Sequence, residues 1–241
     1  MNLMKWRSVL AAAGMGLALA VPTARASSES KIYLSWHAPY GAPRASSTLT
    51  VACGDTTRVD TLYMTCDIGT DSPTFLGFQA ILTFHLLAGD TLGPSWDFGN
   101  ETTSPRGVRA IWEADSSLVV RPPWGGVQGQ GAIYYVHTRL TGSLRMGFAI
   151  PIDQALPVHF ADRVLLARVL FQHPAAGTGC DQPVCIAWDW AGLSFAAAWE
   201  SEITSGDRFV SWNSPGGRVC APFSSARAPR PWKPPGGSAA H

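Results

Sequence analysis

Charged residues are scarce in this chain, and neither sign dominates. Lys, Arg, Asp and Glu make up 15% of the 241 residues, and the formal net charge at pH 7 is +1. A protein that binds nucleic acid or an anionic membrane through its overall field needs a strong basic excess. The sequence therefore predicts neither of these as a partner.

Long hydrophobic runs are also rare, and the clearest one lies near the N-terminus. A basic start precedes the apolar segment 9–21, whose roughly 13 residues fall short of the ~20 that cross a bilayer. Ala24 and Ala26 then stand three and one positions before a predicted cleavage bond. This order is typical of a signal peptide over residues 1–26. We therefore expect an exported protein (extracellular, at the cell surface or in the periplasm) with no membrane span in the mature chain.

Cleavage at this site would change the charge balance. It removes Lys5, Arg7 and Arg25 and leaves 215 residues with 15 basic and 17 acidic side chains, a formal charge of −2. That length is sufficient for one large β domain. A hydrophobic content of 46% argues against wholesale disorder.

Five cysteines allow at most two internal disulfides and leave one thiol over. Cys180 and Cys185 enclose four residues, so we expect them to close a loop. The remaining Cys53, Cys66 and Cys220 permit three pairings. Of these we favour Cys53–Cys220, because the first and last strands of a β-sandwich are often neighbours. A zinc site is not predicted, because its four close ligands are missing.

Convincing helical periodicity is missing as well, apart from a single turn expected over 153–156. Short apolar or alternating runs instead follow one another between Gly, Pro, Asp and Ser, and they are rich in the residues that favour strands. The predicted strands are 32–36, 48–53, 60–66, 75–87, 108–113, 132–138, 143–150, 164–172, 184–190 and 208–212. About ten strands at this spacing predict an all-β fold, a two-sheet β-sandwich of the jelly-roll kind.

Composition divides the mature chain into three parts. Residues 27–46 form a leader that contains the first strand, and 47–221 form the sandwich domain. Residues 222–241 are rich in Pro and Gly and lack apolar periodicity. We therefore expect a disordered or extended tail there.

Four segments, in this order, resemble strands of the cohesin-type β-sandwich of extracellular bacterial proteins. They are Cys-Gly-Asp with the strand after it (53–64), Phe-Leu-Gly-Phe-Gln-Ala-Ile-Leu-Thr-Phe (75–84), Gly-Ser-Leu-Arg-Met-Gly-Phe-Ala (142–149) and Leu-Leu-Ala-Arg-Val-Leu-Phe (165–171). The resemblance extends over about 47–215. It implies a nine-stranded sandwich that binds or displays a partner and has no active site.

Tryptophan is the most suggestive residue for binding. Trp188 and Trp190 are two positions apart, which would place them on one face of a strand. Trp96 and Trp124 are flanked by Gly and Pro, so we expect them at the surface. Exposed indoles can stack on sugar rings. The alternative is that most of these tryptophans fill the sandwich core.

Catalytic motifs are missing from the sequence. The six histidines show neither HxH nor HExxH spacing, and no Gly-x-Ser-x-Gly elbow is present. Acidic residues such as Glu101 and Asp115 fall in predicted loops, where any β protein of this size has them. We therefore predict no catalytic residue, no metal and no cofactor.

The leading hypothesis is a secreted, non-catalytic β-sandwich that serves as an extracellular protein-interaction or structural module. Its partner would be an extracellular protein or a cell-surface polysaccharide. The main alternative is a carbohydrate-binding module that uses surface tryptophans. A third is a hydrolase with an unrecognised site.

Overall fold

Almost all regular structure in this protein is β-strand. The computed structural model describes residues 29–69, 71–99, 105–113, 115–159, 161–172, 179–196, 199–200, 203, 205–214 and 220. Its strands are β1 (Lys31–Trp36), β2 (Thr48–Leu49), β3 (Val59–Asp67), β4 (Ser72–Leu86), β5 (Val108–Ile111), β6 (Gln130–His137), β7 (Thr141–Ala149), β8 (Leu156–Val158), β9 (Arg163–Gln172), β10 (Val184–Phe195), β11 (Trp199–Glu200) and β12 (Phe209–Trp212). Two short 3-10 helices cover Pro94–Trp96 and Ile152–Gln154.

The strands form two sheets. The small sheet has the order β1-β3-β9-β5, and all of its pairs are antiparallel. The large sheet has the order β2-β12-β10-β4-β7-β6, with β8 and β11 attached to β4 and β10. Among the strands that the structure describes, only β2 and β12 pair in parallel. This confirms the predicted all-β, two-sheet sandwich.

Each of the ten predicted strands overlaps an observed one, and the differences lie at the ends. The strand predicted over 48–53 covers only Thr48–Leu49, whereas β10 continues past its predicted end to Phe195. The turn expected over 153–156 is a 3-10 helix one residue earlier. The short strands β8 and β11 were not predicted. The predicted signal peptide (1–26) and tail (222–241) lie outside the described residues.

Aromatic side chains fill the space between the sheets. At one end, Trp212 contacts Trp96 and Trp36 edge to face, with ring centroids 5.0 and 5.9 Å away. At the other end, Trp124 stacks parallel to Phe78 at 6.0 Å. Burial of each large ring stabilises the fold by a few kcal/mol, of order 25 cal/mol per Å² of apolar surface. These tryptophans therefore fill the sandwich core, which was the alternative to a role in sugar stacking.

Position 131 in β6 must be glycine, because the indole of Trp112 lies directly against its backbone. A Cβ atom at this position would lie 2.1 Å from Nε1 of Trp112. Trp112 in turn stacks on Phe148 of the neighbouring strand β7 at 5.7 Å. The indole therefore packs against the bare backbone of an edge strand, which a residue with a side chain would prevent.

The disulfides join different cysteines from those expected. The structure pairs Cys53 with Cys180 and Cys185 with Cys220, with Cα–Cα distances of 5.9 and 5.7 Å. The predicted Cys180–Cys185 and Cys53–Cys220 bridges are therefore wrong. Cys185 already belongs to β10, whereas Cys180 lies in the turn before it. The carbonyl of Cys180 is fixed there by the indole N–H of Trp212 at 2.8 Å.

Cys66 takes part in neither bridge. Its side chain lies on the inner face of β3, fully buried in the core. Both bridges lie near the ends of strands of the large sheet, while this thiol belongs to the small one. The single leftover thiol that the odd count requires is therefore Cys66.

Among the described residues, no helix is long and apolar enough to cross a membrane.

Candidate functional site

A loop and a charged side chain cover one end of the small sheet's outer face. A loop after β1 folds back over this face, and Tyr40 of the loop stacks on Tyr33 of β1 at 4.3 Å. The guanidinium of Arg163 lies 4.9 Å from the Tyr33 ring and 5.3 Å from the Tyr40 ring. The loop is thereby fixed to the sheet by stacking and cation–π contact.

A charged network completes this contact. Arg163 donates two hydrogen bonds to Asp67, from Nε at 2.6 Å and from Nη2 at 2.7 Å, and the Tyr33 hydroxyl donates a third at 2.9 Å. Burial acts to raise the pKa of Asp67, but the hydrogen bonds from Arg163 and Tyr33 outweigh it and hold that pKa below 3.8. Burial, with the hydrogen bond to Asp67, raises the pKa of Tyr33 to about 12.

A second loop covers the middle of the small sheet's outer face, beside β9. The amide of Leu165 donates to the carbonyl of Arg121 at 3.0 Å, although Leu165 is itself a strand residue of β9. Arg168 of the same strand forms an ion pair with Asp115 of the loop at 2.7 Å. Thr65 and Leu165 are almost fully buried on this outer face. The chain itself therefore covers the outer face of the small sheet from Tyr33 to Arg168, while Arg109 at the β5 edge stays exposed.

The large sheet differs, because several side chains on the outside of β4, β7 and β6, together with Asp189 of β10, remain half-buried. We call this set the open surface. It consists of Gln79, Thr83, His85, Tyr134, Val136, Ser143, Arg145 and Asp189. Other outward residues of β10 and of the centre of β4 are at most 5% exposed, namely Ile81, Cys185, Ala187 and Trp190. The inward-facing neighbours of the open surface, such as Phe78, Leu82 and Leu144, belong to the core. The strand registers therefore separate the core side of these strands from the side that carries the open surface.

A β-bulge in β10 shapes the open surface. Trp188 pairs with Leu82 of β4 and Trp190 pairs with the adjacent Ile81, so Asp189 is an extra residue in the strand. Trp188 consequently points into the core, whereas Trp190 lies with Ile81 on the outer side. The prediction that the two tryptophans share a face is wrong, because strict alternation fails at a bulge.

None of the four tryptophans proposed for sugar stacking is exposed. Trp188 is 0% and Trp190 5% exposed, and Trp96 and Trp124 are each 2% exposed. The surface location predicted for Trp96 and Trp124 is therefore wrong. Their loops fold back over the ends of the sandwich, and Trp124 donates its indole N–H to the carbonyl of Trp112 at 2.7 Å. The aromatic platform required by the carbohydrate-binding alternative is not formed by these residues.

Arg145 is the most unusual residue of the open surface. It lies on β7 between Ile81 of β4 and Tyr134 of β6. Its Nε atom is buried without a hydrogen-bond partner, and its guanidinium forms no ion pair with another described residue. A cation held in this way is costly unless a partner supplies an acceptor. The sequence marked this position only as a strand residue, because nothing local shows that its charge lacks a counter-ion.

Asp189 provides charge of the opposite sign on the same surface. The guanidinium of Arg208 contacts the backbone carbonyl of Asp189 at 3.4 Å, and no ion pair joins the Asp189 carboxylate to another described residue. Burial lowers the pKa of His85 below 6.5, and the charge of Asp189 partly opposes that shift. Asp189 therefore acts electrostatically on the outer side of β4.

A groove of about 770 Å³ lies beside β1, between the loop that carries Tyr40 and the segment before β12. Asp207 is the acidic residue of its described lining, and its carboxylate already accepts a hydrogen bond from the Tyr40 hydroxyl. Glycoside hydrolysis typically uses two carboxylates, of which this groove offers one. Among the described residues, no group of three or more His, Cys, Asp or Glu side chains is placed to hold a metal ion.

No family model and no curated protein sequence matches this chain. Among solved structures, it is similar to the second type II cohesin module of the cellulosomal adaptor ScaA scaffoldin of Acetivibrio cellulolyticus. That match has a TM-score of 0.41 and 11% identity, and covers 77% of this chain and 97% of the module. A type II cohesin domain from the cellulosome of the same organism gives a TM-score of 0.39 at 12% identity, with coverage of 77% and 96%. Both are modules of the family that the strand motifs resemble.

Proposed function

We propose that this protein is an exported, non-catalytic β-sandwich that binds a protein partner through the open surface. The observation that supports this proposal most is Arg145, a half-buried cation without an internal counter-ion in the middle of a sheet face. A partner that supplies an acceptor would remove this cost. The contrast with Arg163 and Arg168 on the small sheet, both of which have carboxylate partners, supports the same conclusion.

The composition of the open surface also favours a protein partner. Tyr and Arg are enriched among the residues that contribute most to protein–protein binding, and Tyr134 and Arg145 are adjacent on neighbouring strands. Thr83 and Ser143 beside them are small and uncharged. Such a surface permits close approach of a second protein around two central anchors.

Export is supported by two independent features. The first is the predicted signal peptide over residues 1–26. The second is the pair of disulfides, which join segments 127 and 35 residues apart along the chain. Disulfides of this structural kind persist mainly in oxidising compartments.

The proposal is tested by capture from the producer's own extracellular fraction. The full chain, exported so that its disulfides form, is immobilised and the bound proteins are identified by mass spectrometry. We expect a specific protein to bind the wild type and to be lost with Arg145→Ala and with Tyr134→Ala. Arg109→Ala on β5 is the matched control, because it removes an exposed strand arginine from the small sheet.

Two results would contradict the proposal. One is retention of every captured protein by both open-surface variants. The other is loss of binding in the Arg109→Ala control to the same extent. Capture of a soluble polysaccharide instead of a protein would favour the carbohydrate-binding alternative. Near-UV circular dichroism of each variant confirms that its core is intact before the capture is interpreted.

A further inference from the structure

We propose that the open surface is self-complementary and that two copies of this chain dock through it. In this arrangement, Arg145 of each copy pairs with Asp189 of the other. The inference rests on the proposed function, since it names a partner for the same surface. It is carried by the relative positions of two charges that lack counter-ions within the described chain.

The registers place these charges on opposite sides of β4. Arg145 on β7 pairs directly with Ile81 of β4, and Ile81 pairs on its other side with Trp190, the neighbour of Asp189. Adjacent strands are about 4.8 Å apart, so the backbones of Arg145 and Asp189 lie about 10 Å apart across the strand. Ile81 is thus close to the midpoint between a positive and a negative side chain.

This midpoint determines which two-fold arrangement is favourable. A two-fold axis parallel to β4, lying between two facing surfaces, exchanges the left and right sides of the strand. It therefore brings Arg145 of one copy against Asp189 of the second, twice, on either side of the line of β4. An axis perpendicular to β4 would instead place Arg145 against Arg145, which like-charge repulsion disfavours.

The size of the surface indicates a weak dimer. The strands β4, β7 and β6 span about 14 Å, and seven residues along β4 span about 24 Å, so each copy contributes a flat area of roughly 340 Å². A stable interface typically buries about 800 Å² from each partner. We therefore expect reversible self-association that becomes visible only at high protein concentration.

Charge reversal tests the pairing directly. Sedimentation equilibrium is measured on the exported full chain, on Arg145→Asp, on Asp189→Arg and on an equimolar mixture of these two variants. Each variant alone has two like-charged contacts in its homodimer, so we expect its dissociation constant to rise at least about 100-fold. The mixture restores two opposite-charge contacts and should dimerise again. Arg109→Asp is the control and should behave as the wild type.

Each outcome has a definite meaning. Dimerisation that is lost in both single variants and restored in the mixture supports the proposal. A wild type that stays monomeric at every accessible concentration overturns it, and so does a dimer that both reversals leave intact. If Asp189→Arg does not fold, the test rests on the other two variants. Arg145→Asp should then lose dimerisation, and Arg109→Asp should keep it. A monomeric chain whose Arg145→Ala variant still loses a captured protein refutes self-docking and leaves the proposed function standing.

Discussion

The small sheet is covered by two loops of its own chain, whereas the large sheet keeps charged side chains on its outer face without internal partners. On the small sheet, Arg163 and Arg168 have Asp67 and Asp115 as ion-pair partners. On the large sheet, Arg145 has none among the described residues. The difference separates two uses of the same residue type. A paired arginine holds a loop against the sheet, whereas a half-buried arginine without a counter-ion is available to a partner.

The largest effect is expected from the disulfides. Cys185 lies on the outer side of the large sheet and bridges to Cys220, while Cys53–Cys180 closes the longer loop. Loop-closure entropy predicts losses of about 5 kcal/mol for Cys53→Ser/Cys180→Ser and about 4 kcal/mol for Cys185→Ser/Cys220→Ser. Urea unfolding of both double variants measures the free energy of unfolding. Equal stability of either variant and the wild type would contradict the assigned bridges.

An intermediate loss of stability is expected from substitutions in the ion pair that holds the loop against the small sheet. Asp67→Asn removes the charge that Arg163 and Tyr33 bind, and we expect it to cost about 2 kcal/mol because the pair is only partly shielded from solvent. Arg145→Met on the large sheet should instead raise stability by about 1 kcal/mol, because it removes a buried Nε donor that has no partner and breaks no internal ion pair. Chemical unfolding compares the two. A larger loss for Arg145→Met than for Asp67→Asn would invalidate the distinction between the faces.

The smallest effect on stability is expected from a change of pH. As pH falls, the large sheet should lose stability before the small sheet does. The folded-state pKa of His85 lies below 6.5, so the stability that its neutral form contributes is present above pH 6.5 and decreases as pH falls below it. The folded-state pKa of Asp67 lies below 3.8, so its contribution is present above pH 3.8 and is lost as pH falls through that lower pKa. Acidification therefore weakens the large sheet first.

Thermal unfolding across pH checks this order. His85→Gln should flatten the pH dependence immediately below pH 6.5, and Asp67→Asn should flatten only the region below pH 3.8. If Asp67→Asn flattened the upper region instead, the assignment of each group to its face would be wrong. The Arg109→Ala variant provides the background dependence, since it leaves both groups in place.

Local sequence patterns were sufficient for the strands but not for the open surface. Period-two alternation predicted the strand that contains Arg145, because that pattern acts over a few neighbours. The bulge at Asp189 was not predictable, since it arises from the pairing of β10 with β4. The same holds for the missing counter-ion of Arg145. Which arginine is paired depends on which loops fold over which sheet.

The predictions of the cysteine pairing and of a surface location for Trp124 were wrong for a related reason. Sequence separation favoured a short Cys180–Cys185 loop, but strand β10 begins between these residues and holds them in different surroundings. Gly and Pro around Trp124 indicated a loop correctly. They did not show that this loop returns to the sandwich and inserts its indole between Phe78 and Phe148.

The buried thiol of Cys66 gives the protein a built-in reporter of its own opening. An alkylating reagent reaches this sulfur only when β3 separates from the core, since the residue is 0% exposed. The rate of labelling under native conditions therefore measures how often the small sheet opens. Because the other four cysteines are held in bridges, a single mass increment per chain would identify each molecule that has opened. The dynamics of the small sheet can thus be followed without introducing any probe.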